Sequence, residues 1–213
     1  MNTSRETSFS KLDIGCGSSK RNGYIGIDAI EAPGVDIVVD FTKAEIPLPD
    51  CSVTHFYSAH CFEHLDRMSP VVSEMSRLSV DGAKVEVWTP YSFHRSAFLY
   101  GHTAFLNELH WLHLCVDYPS AYKKTTRGTR WLLNEINYVL DDGVIERLKD
   151  QGISIDFAVK HMVNIVREFG VFITICHDSD AENPPLIHTY SLGRNQVRWD
   201  LSTGNSLPIR SEN

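Results

Sequence analysis

The chain has no long apolar run, no excess of positive charge, no paired-cysteine motif and no complete phosphate-binding signature. Each absence removes a class of function. Across the 213 residues there is no stretch of transmembrane length and no leader with a basic start and an apolar centre. Cytoplasm is therefore the expected compartment, and no membrane partner is expected. Lys and Arg number 20 against 27 Asp and Glu, a net charge of −7. That balance argues against a nucleic-acid partner, because a general grip on phosphates needs a basic face. The five cysteines (Cys16, Cys51, Cys61, Cys115, Cys176) are odd in number, widely spaced and free of Cys-x-x-Cys. They read as free thiols in a reducing compartment, not as a disulfide framework or a zinc knuckle. Gly15-x-Gly17 is followed by Lys20 where a dinucleotide fingerprint has its third glycine, and no Gly-Lys-Ser/Thr loop occurs.

What is present begins at Leu12-Asp13-Ile14-Gly15-Cys16-Gly17. This suits a buried strand ending in a turn where a Cβ would block both a positive φ and the approach of a ligand. Tyr24-Ile25-Gly26-Ile27-Asp28 then reads as a second apolar strand ending in a carboxylate. An acid at that place can accept hydrogen bonds from both hydroxyls of a ribose. Strand, glycine turn, strand and acid together describe a nucleoside site without a pyrophosphate cradle.

This stretch resembles the class I S-adenosylmethionine-dependent methyltransferases, in particular the small bacterial type with a Leu-Asp-Ile-Gly-Cys-Gly first motif. The resemblance continues through Lys20–Asp28 into strand two and through Val35–Asp40 as strand three. It then covers Ile46-Pro47-Leu48-Pro49-Asp50 with Val53 to Glu63-His64-Leu65 around strand four, and Ser76-Arg77-Leu78 to Pro90 around strand five. It spans about residues 11–90 as an ordered set. Two departures stand out: Thr54 where relatives begin strand four with aspartate, and a link after Gly17 too short for a usual crossover helix. The resemblance implies a single-domain α/β protein with a Rossmann-like, seven-stranded, mostly parallel sheet. Its last strand would be antiparallel, with helices on both faces. It implies S-adenosyl-L-methionine as cofactor and S-adenosyl-L-homocysteine as product. Asp28 would hold the ribose and Asp40 the adenine, with Asp13, Gly15, Cys16, Gly17, Ala29, Phe41 and Ser58 completing the cofactor site.

Along the chain, strands are expected at 11–14, 24–28, 36–40, 53–58 and 84–88, several of them continuous in apolar residues as strands covered on both faces should be. Pro70 to Leu78 reads as a helix with Val71, Met75 and Leu78 on one face, closed by a turn at Asp81-Gly82. Residues 91–130 crowd aromatics and histidines, then a basic run, and read as a substrate-capping insertion. Trp131 to Leu140 is a sixth strand and Val171 to Cys176 a seventh. Between them Gly143 to Phe169 reads mostly helical, with a stripe of Phe157, His161, Ile165 and Phe169. The tail over 189–213 is polar, and an extended or partly disordered segment is expected there.

The catalytic candidates are His60 and His64 after strand four, and His94 after strand five. A histidine titrates near neutrality and could take a proton from an acceptor hydroxyl, or each could merely pack or cap. Tyr91, Arg95, His102 and Trp111 are expected to line an acceptor pocket, and Lys123, Lys124 and Arg127 to bind an anionic acceptor. His110 and His113, three apart, complete no metal motif, and the histidines of 94–113 read as pocket wall, so no metal is expected. The expected reaction is O-methylation of a small acceptor, since no Asn/Asp-Pro-Pro-Tyr amine-methylating motif is present. A carboxylate, phosphate or phosphonate is one acceptor class, and natural-product or sugar pathways are the analogy. Alternatives are a non-catalytic S-adenosylmethionine-binding partner or sensor, a macromolecular acceptor, or a nicotinamide oxidoreductase. A homodimer stays open.

Overall fold

The computed structural model describes residues 10–210. Ten strands form one sheet: β1 (Ser10–Ile14), β2 (Ile25–Asp28), β3 (Ile37–Val38), β4 (Val53–Ala59), β5 (Ser79–Pro90), β6 (Arg130–Leu140), β7 (Val166–Cys176), β8 (Ile187–Ser191), β9 (Arg198–Asp200) and β10 (Ser206–Leu207). Their order is β3-β2-β1-β4-β5-β7-β6-β8-β9-β10. The first five pair in parallel, and β7 lies antiparallel between β5 and β6. This is the expected Rossmann-like α/β architecture with its antiparallel seventh strand, although the sheet has ten strands among the described residues and not the seven expected. The chain order reverses between β2-β1 and β4-β5, and such a switch point is where open α/β sheets bind ligands, outside the carboxyl ends of the strands.

Three elements differ from expectation. The segment expected to be a polar tail instead forms β8, β9 and β10. Its polar residues are paired inside: Asn137 Nδ2 donates to Thr189 at 2.8 Å, and Ser191 donates to Asn137 at 2.9 Å. Strand β5 starts as soon as the preceding helix ends, so Asp81-Gly82 forms no closing turn; it sits at a break in register opposite Val53 and His55. Between β6 and β7 there are two short helices, α3 (Val144–Asp150) and α4 (Ile155–His161), split by Gly152 at φ +64°. Phe157 therefore faces outward while Phe169 is buried in β7, and the expected stripe is not one surface.

Helix α1 (Ser69–Leu78) follows expectation, with Pro70 in its first turn and Val71, Met75 and Leu78 in the core. Trp131 on β6 donates to Ser76 of this helix at 3.0 Å. Helix α2 (Glu108–Leu112) opens the later part of the 91–130 insertion. Among the described residues no helix separates β1 from β2 or β2 from β3. No described helix is long and apolar enough to cross a membrane. Gly170 on β7 faces Trp88 across the β5–β7 ladder, and a Cβ there would come within 2.6 Å of the indole ring. Gly170→Ala should cost about 1–3 kcal/mol by overpacking. An unchanged urea midpoint would show that the ring yields freely.

Candidate functional site at the switch point

Strand β1 delivers the chain to Gly15, at φ +68°, and Gly17, at φ +50°. A Cβ on Gly15 would run into the Cys61 side chain, so glycine is required there by both conformation and space. Gly15 and Cys16 N–H both donate to the Ile27 carbonyl, at 2.8 and 3.2 Å, which fixes the turn against the end of β2. Asp28 then closes it: one carboxylate oxygen accepts from Gly17 N–H at 2.9 Å and the other from Ile30 N–H at 3.0 Å. Asp13 is buried, and its carboxylate accepts from Arg21 N–H at 2.7 Å, which holds the short link to β2 in place of a crossover helix. Burial pushes the Asp13 carboxyl above its ordinary range. Ser58 is buried and donates to the Ile14 carbonyl, tying β4 to β1.

These elements border a cavity of about 660 Å³, lined by Gly15, Asp28, Ala29, Asp40, Phe41, His60 and His64 among others. That volume suits a nucleoside-sized ligand. The structure thus brings together seven residues singled out in the sequence. Asp13, Cys16, Gly17 and Ser58 stand behind the wall, shaping the turn. Ile30, Thr42, Lys43, Cys61, Leu65, Asp66, Arg67 and Pro70 also line it, and no motif in the sequence marks them as cavity residues. Asp40 is engaged locally: it accepts from Thr42 N–H and hydroxyl, at 3.1 and 2.5 Å, and pairs with Lys43 at 2.6 Å. The Lys43 ammonium, then the Thr42 hydroxyl, hold its carboxyl down at about 2.

The catalytic candidates fare differently. His60 follows β4 at φ +55°, a conformation uncommon for a residue with a Cβ. Its ring bridges two carboxylates, Nδ1 to Glu63 at 3.0 Å and Nε2 to Glu168 at 3.1 Å. Both nitrogens therefore donate. Hydrogen bonding to Glu168, then Glu63, raises its pKa to about 9. His60 is a cation on the cavity wall and has no lone pair to act as a base. Glu168 lies 108 residues away in sequence, on β7, and Arg194 grips it as well, at 2.6 Å. Burial pushes the Glu168 carboxyl up, but His60 and Arg194 outweigh this and hold it at about 2. No local sequence signal pairs these groups.

His94 does not line the cavity. It is buried, with Nδ1 accepting from Ser96 N–H at 3.1 Å to cap the short turn Arg95–Phe98. Desolvation lowers its pKa. Tyr91 is buried, its hydroxyl 3.1 Å from Glu108, and Trp111 is buried against Phe62. Arg95 donates its N–H to Asn164. None of these residues forms an acceptor wall. The basic run is also elsewhere: Lys123 lines a separate recess with Arg130, exposed Lys124 does not line the cavity, and Arg127 reaches Ser73 and Glu45. His110 caps α2 with Asn107, and His113 meets the Tyr122 hydroxyl at 2.8 Å. His102 packs edge-on against His64, which lines the cavity, with ring centroids 4.9 Å apart.

No protein-family model matches the chain, and no curated protein matches it in sequence. Solved structures do. A SAM-dependent methyltransferase from Archaeoglobus fulgidus aligns at 15% identity and TM-score 0.49, over 78% of this chain and 86% of its own. One from Aquifex aeolicus aligns at 16% and 0.45, over 79% and 85%. An S-adenosylmethionine-dependent methyltransferase from Mesorhizobium loti aligns at 12% and 0.45, over 78% and 91%. At such identities and scores the functional reading rests on the cavity's own residues.

Proposed function

We propose that this chain is an S-adenosylmethionine-dependent methyltransferase acting on an oxygen of a small acceptor. The observation that carries the reading is Asp28, a carboxylate fixed at the end of β2 by Gly17 and Ile30 N–H groups, on the wall of a cavity that Gly15 also lines. The residues fit the cofactor: a glycine turn with no room for a Cβ, an acid poised for vicinal hydroxyls, and no pyrophosphate loop. When bound, S-adenosylmethionine supplies a methyl group on a sulfonium, whose thioether leaves without needing an acid. The protein's task is then alignment and exclusion of water, which can remove about 7–11 kcal/mol of barrier. Asp28 and the Gly15–Gly17 turn hold one partner. Arg67, His60 and His64 border the space left for the other.

Because His60 carries no free lone pair and His94 lies off the cavity, the geometry favours an acceptor oxygen that is already anionic. A carboxylate, phosphate or phosphonate needs no base, and the cationic His60 and Arg67 on the wall suit its charge. The test is calorimetric titration with S-adenosylhomocysteine, with NAD in parallel. Micromolar binding of the thioether alone is expected, weakened about tenfold or more in Asp28→Ala, since a charge-assisted hydrogen bond is worth ~1.5–3 kcal/mol. Binding of NAD instead, or unchanged affinity in the variant, would overturn the reading.

A further inference from the structure

Beside the cavity, Glu63, His64 and His102 each offer one ligand atom, and the three atoms lie within 4.8 Å of one another. They come from two segments, the 3-10 turn Phe62–His64 after β4 and the chain just past Gly101. The backbone locks these together: Thr103 and Ala104 N–H both donate to the Glu63 carbonyl, at 2.8 and 3.0 Å.

The protons on both rings are already placed. His64 Nδ1 lies 3.0 Å from the Gly101 carbonyl and His102 Nδ1 lies 3.1 Å from the Ala97 carbonyl. A carbonyl only accepts, so each Nδ1 carries a proton, and Nε2 is the nitrogen that holds the lone pair in the neutral ring. That is the tautomer a metal ion needs, fixed by the kind of carbonyl contact that orients metal-bound histidines. Glu63 supplies the negative charge. Its side chain is 2% exposed; one oxygen is held by His60, while Oε2 is buried with no hydrogen-bond partner among the described residues. Edge-to-face packing of two imidazoles would account for the rings. It would not account for a buried carboxylate oxygen left unpaired beside them, a costly arrangement unless something satisfies it.

We propose that Glu63, His64 and His102 bind a divalent first-row transition ion of the zinc, cobalt and iron(II) group. Two imidazoles and one carboxylate are a donor set such ions accept, and three protein ligands leave coordination positions open for water or another oxygen ligand. His64 also lines the cavity, which puts the ion at its wall. The site stands on these three residues and does not depend on which cofactor the cavity takes.

The experiment uses the full chain stripped with chelator, carrying Cys51→Ser to remove its exposed thiol. Zn²⁺ is titrated by calorimetry, and Co²⁺ is followed by its visible absorption. One equivalent of each ion is expected to bind. His102→Ala should weaken binding about 10–100-fold or more, since even outer partners of a metal site carry that much. His110→Ala and His113→Ala should leave it unchanged, and thermal melts confirm that each variant is folded. A chain that takes up neither ion, or binds equally well as His102→Ala, overturns the site. Thioether binding measured on the same samples keeps the cofactor reading separate.

Discussion

Glu135→Ala is expected to cost about 3–5 kcal/mol of stability, the penalty for leaving a buried cation without its partner. Glu135 sits on β6 and receives Arg198 Nη1 on both oxygens at 2.5 Å, the Thr189 hydroxyl at 2.5 Å, and Arg210. Side-chain exposure is 9% for Arg198 and 11% for Glu135, so solvent cannot replace the lost carboxylate. Arg198 also donates to the Pro208 carbonyl, which joins β9 to the end of the described chain. Replacing both Glu135 and Arg198 by Leu should cost less than the sum of the two single changes, because Arg198 is no longer left without its carboxylate and only Arg210 stays unpaired. Urea unfolding of the two singles and the double separates these outcomes. Near-additive losses would mean that the pair is not coupled.

The same group sets a pH dependence. Burial pushes the Glu135 carboxyl up, but Arg210, Thr189 and Arg198 outweigh it and hold it below its ordinary value of 4.5. A carboxyl depressed in the folded state stabilises above the unfolded value and loses that contribution as pH falls through the folded one. The stability gap between the native protein and Glu135→Gln should be full above about 4.5 and close on acidification below it. A gap that stays constant into acid would remove Glu135 as its source.

Gly15→Ala is the second large effect. The residue sits at φ +68°, where an L side chain costs roughly 1–2 kcal/mol. The new Cβ would also overlap the Cys61 side chain in a packed wall, worth about 1–3 kcal/mol more. The loss should come with weakened thioether binding, because Gly15 and Cys16 N–H hold the turn to the end of β2 that carries Asp28. Adding Cys61→Ala should recover only part of the overpacking share, since the Cys61 Cβ itself would lie 2.4 Å from the added carbon, and leave the backbone share. Recovery of neither share would place the damage outside this contact.

The first half of the fold was legible because several of its element ends carry a residue with a chemical reason to be there. Gly15 needs a positive φ, Asp28 terminates an apolar run, and Pro70 starts a helix. The cofactor side of the cavity follows from those local signals. The acceptor side does not. His60 looks like a base until Glu168 arrives from β7, and only the antiparallel insertion of that strand beside β5 brings it there. The basic run from Lys123 to Arg130 reads as a binding surface by composition alone, yet the path of the insertion carries it away from the cavity. The polar C-terminal stretch misleads for a related reason. Composition cannot register that Thr189, Ser191 and Arg198 are buried against Asn137 and Glu135, more than fifty residues earlier.

The two outermost strands, β3 and β10, are only two residues long each. A sheet that tapers at both rims gives a second molecule almost no main-chain ladder to extend, which is how long sheets escape edge-to-edge aggregation. Assembly of two copies would therefore have to be built on side-chain surfaces.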